Sequence, residues 1–214
     1  MAHAGLAAPS LVAPESAPSL ADEQREVAQT RIMRAAGAVL AARGLAATVE
    51  DVAEAAGVSR RTIFRHFATR DALFVAVIRA GVRRYGEQIP EPPADDLRDW
   101  LAELLAVTHR LNAGNGRVFW DLVGPRAREQ SAELAVVAAE CRDSRNRFAV
   151  TVTDLMWRAR GGSGRPPHWM VDAVAVQISG FTTASLGGDL GRSPEEVARV
   201  SARVIEAALT SALG

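Results

Sequence analysis

Gly57 separates two short stretches whose apolar residues recur at helical spacing: Val49, Val52, Ala53 and Ala56 before it, Ile63 and Phe67 after it. Helices this short do not stand alone in water, because nucleating the first turn is unfavourable and few further turns follow to offset it. They must pack on one another, and with only Gly57-Val58 between them they meet at a sharp angle. Ala53 provides a small residue where the helices touch, Gly57 tolerates a positive φ in the turn, and Ile63, six residues on, anchors the next helix. This is the spacing of a helix-turn-helix.

With Ile63 and Phe67 turned inward, Arg60, Arg61, Phe64 and Arg65 fall on or near the outer face of a helix that Ser59 caps. The N-terminal end of such a helix fits the DNA major groove, where arginines reach guanine edges or phosphates. Thr48 and Ser59 open successive helices, where free N–H groups and the helix dipole favour a phosphate oxygen. His66 and Arg70 follow at positions suited to contact with the nucleic-acid backbone. A solvated basic face on an ordinary bundle is the alternative, and the coincidence of cap, turn glycine, anchors and charge disfavours it.

The formal net charge is zero, yet the charge is uneven. Between positions 56 and 84 seven arginines face one acid, Asp71, whereas from Glu91 onward 16 acids face 14 arginines. The positive field is therefore local. All 25 basic residues are arginine, so arginine at a given position is not in itself a sign of bidentate recognition. Cys141 is the one cysteine, which excludes a disulfide framework or a cysteine metal cluster within one chain. No cofactor or metal is expected, and a reducing, cytoplasmic setting fits. No apolar run is long enough to cross a membrane. The first residues lack the basic and apolar regions of a secretion signal, and their Ala/Pro/Ser content predicts a flexible tail over 1–21.

Beyond the tail the periodicity is helical and no strand alternation is convincing, so the fold class is all-α, with about nine helices. A helix over 22–43 stops at Gly44; Thr48, with Asp51 three residues on, caps a second; a third runs from Ser59 to about Phe67; a fourth spans 70–85. Gly86 and Pro92-Pro93 mark a boundary. The predicted division is a helix-turn-helix DNA-binding head over 22–86 and a ligand-binding and dimerisation bundle over 87–214. Within the bundle, helices are expected over 94–112, 117–123, 126–160, 166–186 and 194–213, with loops at 112–116 (NAGNG), 160–165 and 187–192.

Residues 30–74 resemble the DNA-binding head of the tetracycline-repressor (TetR) family, through the run T-V-x-x-V-A-x-x-A-G-V-S-x-x-T-I-F-x-H-F. The resemblance covers about a fifth of the chain and implies a homodimer on a palindromic operator in double-stranded DNA, with a body whose ligand controls DNA affinity, by default as a repressor. It places Thr48, Ser59, Phe64, His66 and Arg70 at phosphate-region positions, and Arg60, Arg61 and Arg65 at variable, base-reading ones. Many members carry Tyr at the position of Phe64, so a hydroxyl contact to DNA is missing here.

In the body, Met170, Val174, Ile178 and Phe181 form one stripe, and Val197, Val200, Val204 and Ala208 another. Two such helices from each subunit make a four-helix dimer interface; packing within one chain is the alternative. Leu104, Thr108, Phe119, Trp120, Phe148, Val152 and Gln177 are candidates for a site that takes a small apolar or amphipathic effector, against the reading that they are ordinary core. Coupling is expected through the 70–85 helix. Two other classes stay open: a constitutive DNA-binding protein without effector, and a helical enzyme using His109 with a nearby acid.

Overall fold

The structure, a computed structural model, describes residues 19–93, 97–123 and 131–214. Most of the expected tail therefore lies outside the described residues. Ser19 is already structured: its hydroxyl and the Asp22 carboxylate form a reciprocal capping box that opens α1, Leu20–Arg43. Gly44, at φ 62°, ends α1 and begins a short 3₁₀ turn, Gly44–Ala46. Then come α2 (Val49–Ala56), α3 (Arg60–His66) and α4 (Arg70–Gln88). Gly57, at φ 63°, takes the left-handed conformation the α2–α3 turn requires.

The body comprises α5 (Leu97–Val123), α6 (Ala132–Ala159), α7 (His168–Gln177), α8 (Gly180–Ala184) and α9 (Pro194–Leu213), with a π-type turn over Ser185–Asp189. Described residues thus form nine α-helices and no strand. Two boundaries differ from the sequence expectation and cancel in the count. The NAGNG stretch is not a loop: α5 runs straight through it. Asn115 closes onto the Leu111 carbonyl (2.8 Å), and the residues beyond, Val118 and Leu122, are drawn into the head's core. That packing outweighs the weak helix propensity of Gly114 and Gly116. Conversely, the helix expected over 166–186 is broken at Ile178-Ser179, where Ser179 turns extended and caps α8. Gly86 likewise does not stop α4, and the start expected for α6 at 126 lies outside the described residues.

Two apolar cores hold the molecule. The first gathers Ile32, Ala36, Leu40, Val49, Val52, Ile63, Phe67, Leu73 and Phe74 from the head, and also Leu122 from α5 and Leu134, Val137 and Ala138 from α6. The head therefore does not close on itself; the end of α5 and the start of α6 complete it. The second core is built by Trp100, Leu101, Leu104, Leu105, Val152, Met156, Met170, Val174, Ile178, Ile205 and Leu209. Both are fully buried over most of these side chains, which at roughly 1.5–3 kcal/mol each makes burial the dominant stabilising term.

Candidate nucleic-acid interface

On α3, Ile63 and Phe67 are buried while Arg60, Arg61, Phe64 and Arg65 are exposed. The anchors and the outward cationic face thus separate as the spacing requires. Arg61 and Arg65 make no ion pair among the described residues, and they carry the free positive charge of the helix. Arg60 is different: its guanidinium lies 2.7 Å from Glu50 of α2, with both side chains more than half exposed. An exposed pair of this kind is worth little, so Arg60 can exchange Glu50 for a phosphate or a base at small cost. Phe64 exposes 42% of its surface, an apolar ring presented to solvent beside two arginines.

The cap residues serve their own helices. Thr48 Oγ1 accepts from the Asp51 amide (3.1 Å), and the Thr48 amide donates to Asp51 (2.9 Å). That amide, with the Thr48 hydroxyl second, holds the Asp51 carboxyl below its ordinary range. Ser59 Oγ accepts from the Thr62 amide (3.1 Å). Ser59 Oγ also lies 2.9 Å from Thr62 Oγ1, so both hydroxyls are engaged within their own helix starts. His66 is half-buried at the end of α3.

Arg70 does not point into solvent. Its Nε donates to the Ala47 carbonyl (2.9 Å), its Nη2 to the Leu45 carbonyl, and its Nη1 to Asp71 (2.9 Å), while the guanidinium lies 4.5 Å from the Phe74 ring centroid. It ties the start of α4 to the α1–α2 connector, and this geometry argues against the phosphate contact expected for it. The same connector and the last turn of α1 are held from the body. Asp121 of α5 accepts from the Leu45 amide (2.6 Å), and Arg117 donates to the Ala42 carbonyl (3.0 Å). Any side chain on Gly44 would collide with both residues. Neither contact was legible from spacing, since the partners are 75 and 76 positions apart.

The residues expected to form one effector pocket fall into two groups. Because α5 is unbroken, Leu104 and Phe119 are separated by roughly 22 Å along its axis. Leu104, Thr108 and Val152 are fully buried, and Phe148 packs against the second core with them. Phe119 and Trp120 instead pack edge-to-face with Phe181, at centroid distances of 5.1 and 4.6 Å. Gly180 permits that cluster: a Cβ there would lie 2.9 Å from the Phe119 ring. Gln177 Oε1 is buried without a hydrogen-bond partner among the described residues, at a cost of about 1–3 kcal/mol, whereas the buried Thr108 hydroxyl lies beside the Tyr85 phenol. Burial raises the pKa of Tyr85 on α4, and the neighbouring Thr108 hydroxyl opposes that shift.

His109 is fully buried, with Nδ1 2.8 Å from the Thr183 hydroxyl and Nε2 3.1 Å from that of Ser201. Burial lowers its pKa to about 4, so the ring is neutral. Its partners are hydroxyls of α8 and α9, not the carboxylate a general-base pair needs. Ser201 also reaches toward the Gln177 carbonyl (3.4 Å), and Asn112 donates to the Ile178 carbonyl (3.2 Å). Together they occupy carbonyls released where α7 breaks, a polar node the sequence did not reveal.

The expected interface stripes also divide. Met170, Val174, Ile178 and Val197 are buried within the chain itself, so they belong to its core, whereas Phe181, Val200 and Val204 are exposed and Ala208 is half-buried. Trp169 and Val176 of α7 are exposed as well. No helix among the described residues is long and apolar enough to cross a membrane.

Residues 32–77 match the sequence model of bacterial regulatory proteins of the tetR family. An uncharacterised helix-turn-helix-type transcriptional regulator of Mycobacterium tuberculosis is 33% identical over 93 residues, covering 43% of this chain and 46% of that protein; the match spans under half of the relative's length. Among solved structures, a transcriptional regulator from Rhodococcus sp. Rha1 superposes with TM-score 0.65 at 19% identity, over 86% of this chain and 97% of the other. FadR from Bacillus subtilis in complex with stearoyl-CoA gives 0.60 at 18%, over 85% and 97%. LfrR from Mycobacterium smegmatis in complex with proflavine gives 0.61 at 19%, over 86% and 97%. At these identities the structural likeness is one of fold.

Proposed function

Because the chain belongs, through its helix-turn-helix head, to the tetR family of bacterial regulatory proteins, we propose that this transcriptional regulator acts in the cytoplasm as a homodimer. It binds a palindromic operator in double-stranded DNA, represses there, and is released by a small apolar or amphipathic effector. The observation that carries the reading is the outward face of α3, where Arg61, Phe64 and Arg65 stand exposed over the buried anchors Ile63 and Phe67.

One short helix spans too few base pairs for a specific site, so two heads roughly 34 Å apart, one per successive major groove, are required. The exposed apolar residues of α7, α8 and α9, namely Val176, Phe181, Val200 and Val204, support pairing through these helices. Exposed apolar surface in water favours a second copy. For the effector, the buried Gln177 oxygen, which has no partner among the described residues, supports a ligand that donates a hydrogen bond within an otherwise apolar surround. Complexes of similarly folded regulators with stearoyl-CoA and with proflavine make a ligand-controlled body a consistent reading. Tyr85 beside Thr108 would pass a change there to α4.

Selection of bound duplexes from a random DNA pool tests the first part: an inverted repeat is expected, and enrichment of no sequence contradicts it. For the second, proflavine and stearoyl-CoA serve as probes in thermal shift and in operator binding. An effector raises the melting temperature and weakens the complex; binding that leaves operator affinity unchanged contradicts effector release.

A further inference from the structure

Two carboxylates open α2, Glu50 and Asp51, where the helix dipole accommodates negative charge. Their roles diverge. Asp51 closes the Thr48 capping box and pairs with Arg43 of α1 at 2.6 Å. Glu50 takes no part in that cap, and its carboxylate lies 2.7 Å from Nη1 of Arg60, the first residue of α3. Arg61 and Arg65 have no such acid among the described residues, and neither does Glu54, one turn along α2, have an arginine. A guanidinium carries three nitrogens, and with Nη1 nearest Glu50 the edge formed by Nε and Nη2 stays available. That edge can donate in parallel to O6 and N7 of a guanine. Charge favours the same target. The Glu50–Arg60 pair is neutral as a unit, so a phosphate gains little from it, whereas a base edge is read by the placement of donors. In water the pair is weak. A duplex seated against α3 excludes that water, which strengthens the pair, and a Glu50 left bare there would face phosphates.

We propose that Glu50 determines the base specificity of the head by holding Arg60 across the angle between α2 and α3. The Nε–Nη2 edge of Arg60 is thereby directed to a guanine in the major groove, and the arginine is withheld from the phosphates. Each half-site then carries one G·C pair that depends on both residues. Glu50 is a positioning residue, since it touches Arg60 and not the base. Arg61 and Arg65, without acids, keep their full charge for the duplex. The inference rests on the reading of α3 as the helix that enters the groove.

The test is selection from a random duplex pool at fixed salt, using the full chain as wild type, Arg60→Ala, Glu50→Ala, Glu54→Ala and the double variant Glu50→Ala with Arg60→Ala. Glu50 and Glu54 are both exposed, so alanine at either leaves the core intact. Arg60→Ala should lower discrimination at one symmetric G·C pair about 5–150-fold, and Glu50→Ala should lower it at that same pair at least about threefold. Freed from its acid, Arg60 turns to a phosphate. Glu50→Ala should therefore also bind random duplex more tightly, with the slope of log K against log salt steeper by up to about 0.9. Glu54→Ala, the same loss of charge on the same helix, should keep the preference. In the double variant, loss of Glu50 should change no preference beyond the change made by Arg60→Ala. The proposal is overturned if Glu50→Ala shifts all sequences alike, or if Glu54→Ala relaxes the same base pair. It is equally overturned if the double variant loses a further base pair, which would make Glu50 a direct reader of cytosine. In each of those cases the wild type still selects a site, so the DNA-binding reading survives. A wild type that enriches no duplex sinks that reading, and the role of Glu50 with it.

Discussion

Replacing Arg70 with alanine separates two roles for one side chain. In this structure its donors hold the Leu45 and Ala47 carbonyls and its charge faces Phe74. The side chain is 35% exposed, so each carbonyl bond is taken near the low end for a charged donor, about 1–1.5 kcal/mol. The ring contact adds about 0.5–1 kcal/mol, and the partly exposed pair with Asp71 adds close to none. Ala47 is fully buried, and its carbonyl would lose its partner. Arg70→Ala should therefore destabilise the protein by about 2.5–4 kcal/mol, lowering the urea midpoint by roughly 1 M at a slope near 3 kcal/mol per M. Operator binding by the folded variant should keep the wild-type dependence on salt. A residue that contacts phosphate would behave the other way, leaving stability nearly unchanged while the slope of log K against log salt flattens by about 0.9. Arg70→Lys should not rescue, since an ammonium lacks the planar fork that spans two carbonyls. A stability loss under about 0.5 kcal/mol together with a flattened slope would refute the reasoning.

Gly44→Ala should be costlier than its size suggests: φ of 62° strains any other residue, by about 1–3 kcal/mol, and the added carbon displaces Asp121 from Leu45, which a lower melting temperature and faster Leu45 exchange would register. His109 makes stability depend on pH. Its folded pKa, about 4, lies below the ordinary 6.5, so between these values the unfolded chain binds a proton the folded one does not. Stability is full above about pH 6.5 and falls as pH drops toward 4, by up to about 3 kcal/mol; urea titrations should show this slope and His109→Gln should abolish it. Val200→Asp with Val204→Asp, both at exposed positions of α9, should yield a folded monomer by sedimentation, and an unchanged dimer would move the interface elsewhere. Arg61→Ala should cost about 1–3 kcal/mol on the selected operator and relax preference at one base pair per half-site.

The head was legible in the sequence because its determinants are local. Ala53, Gly57 and Ile63 lie within eleven positions, and caps, turn and anchors follow from short-range chemistry. What escaped depended on distant partners. NAGNG carries every mark of a loop, and it becomes helix because Val118 and Leu122 are held by the head's core. The break after Gln177 has no proline or paired glycines to announce it; Ser179 makes it, with Asn112 and Ser201 occupying the freed carbonyls. Periodicity identified the apolar residues of α7 and α9 correctly, but an apolar stripe does not say whether its partner is the same chain or a second one. Met170, Val174 and Val197 found theirs within the chain. A basic residue beside a helix-turn-helix invites a phosphate, but nothing in the local sequence tells that the Arg70 guanidinium holds carbonyls 23 and 25 positions back.

The central claim is that the exposed face of α3, through Arg61, Phe64 and Arg65, reads the major groove as one half of a symmetric pair. Sequencing the duplexes that the purified wild-type chain and Arg61→Ala each retain from one random pool, at fixed salt, tests it most directly. The account predicts an inverted repeat with half-sites one or two helical turns apart, and loss of preference in the variant at a single symmetric position. Identical enriched sites for both proteins, or a wild-type site without two-fold symmetry, would contradict it.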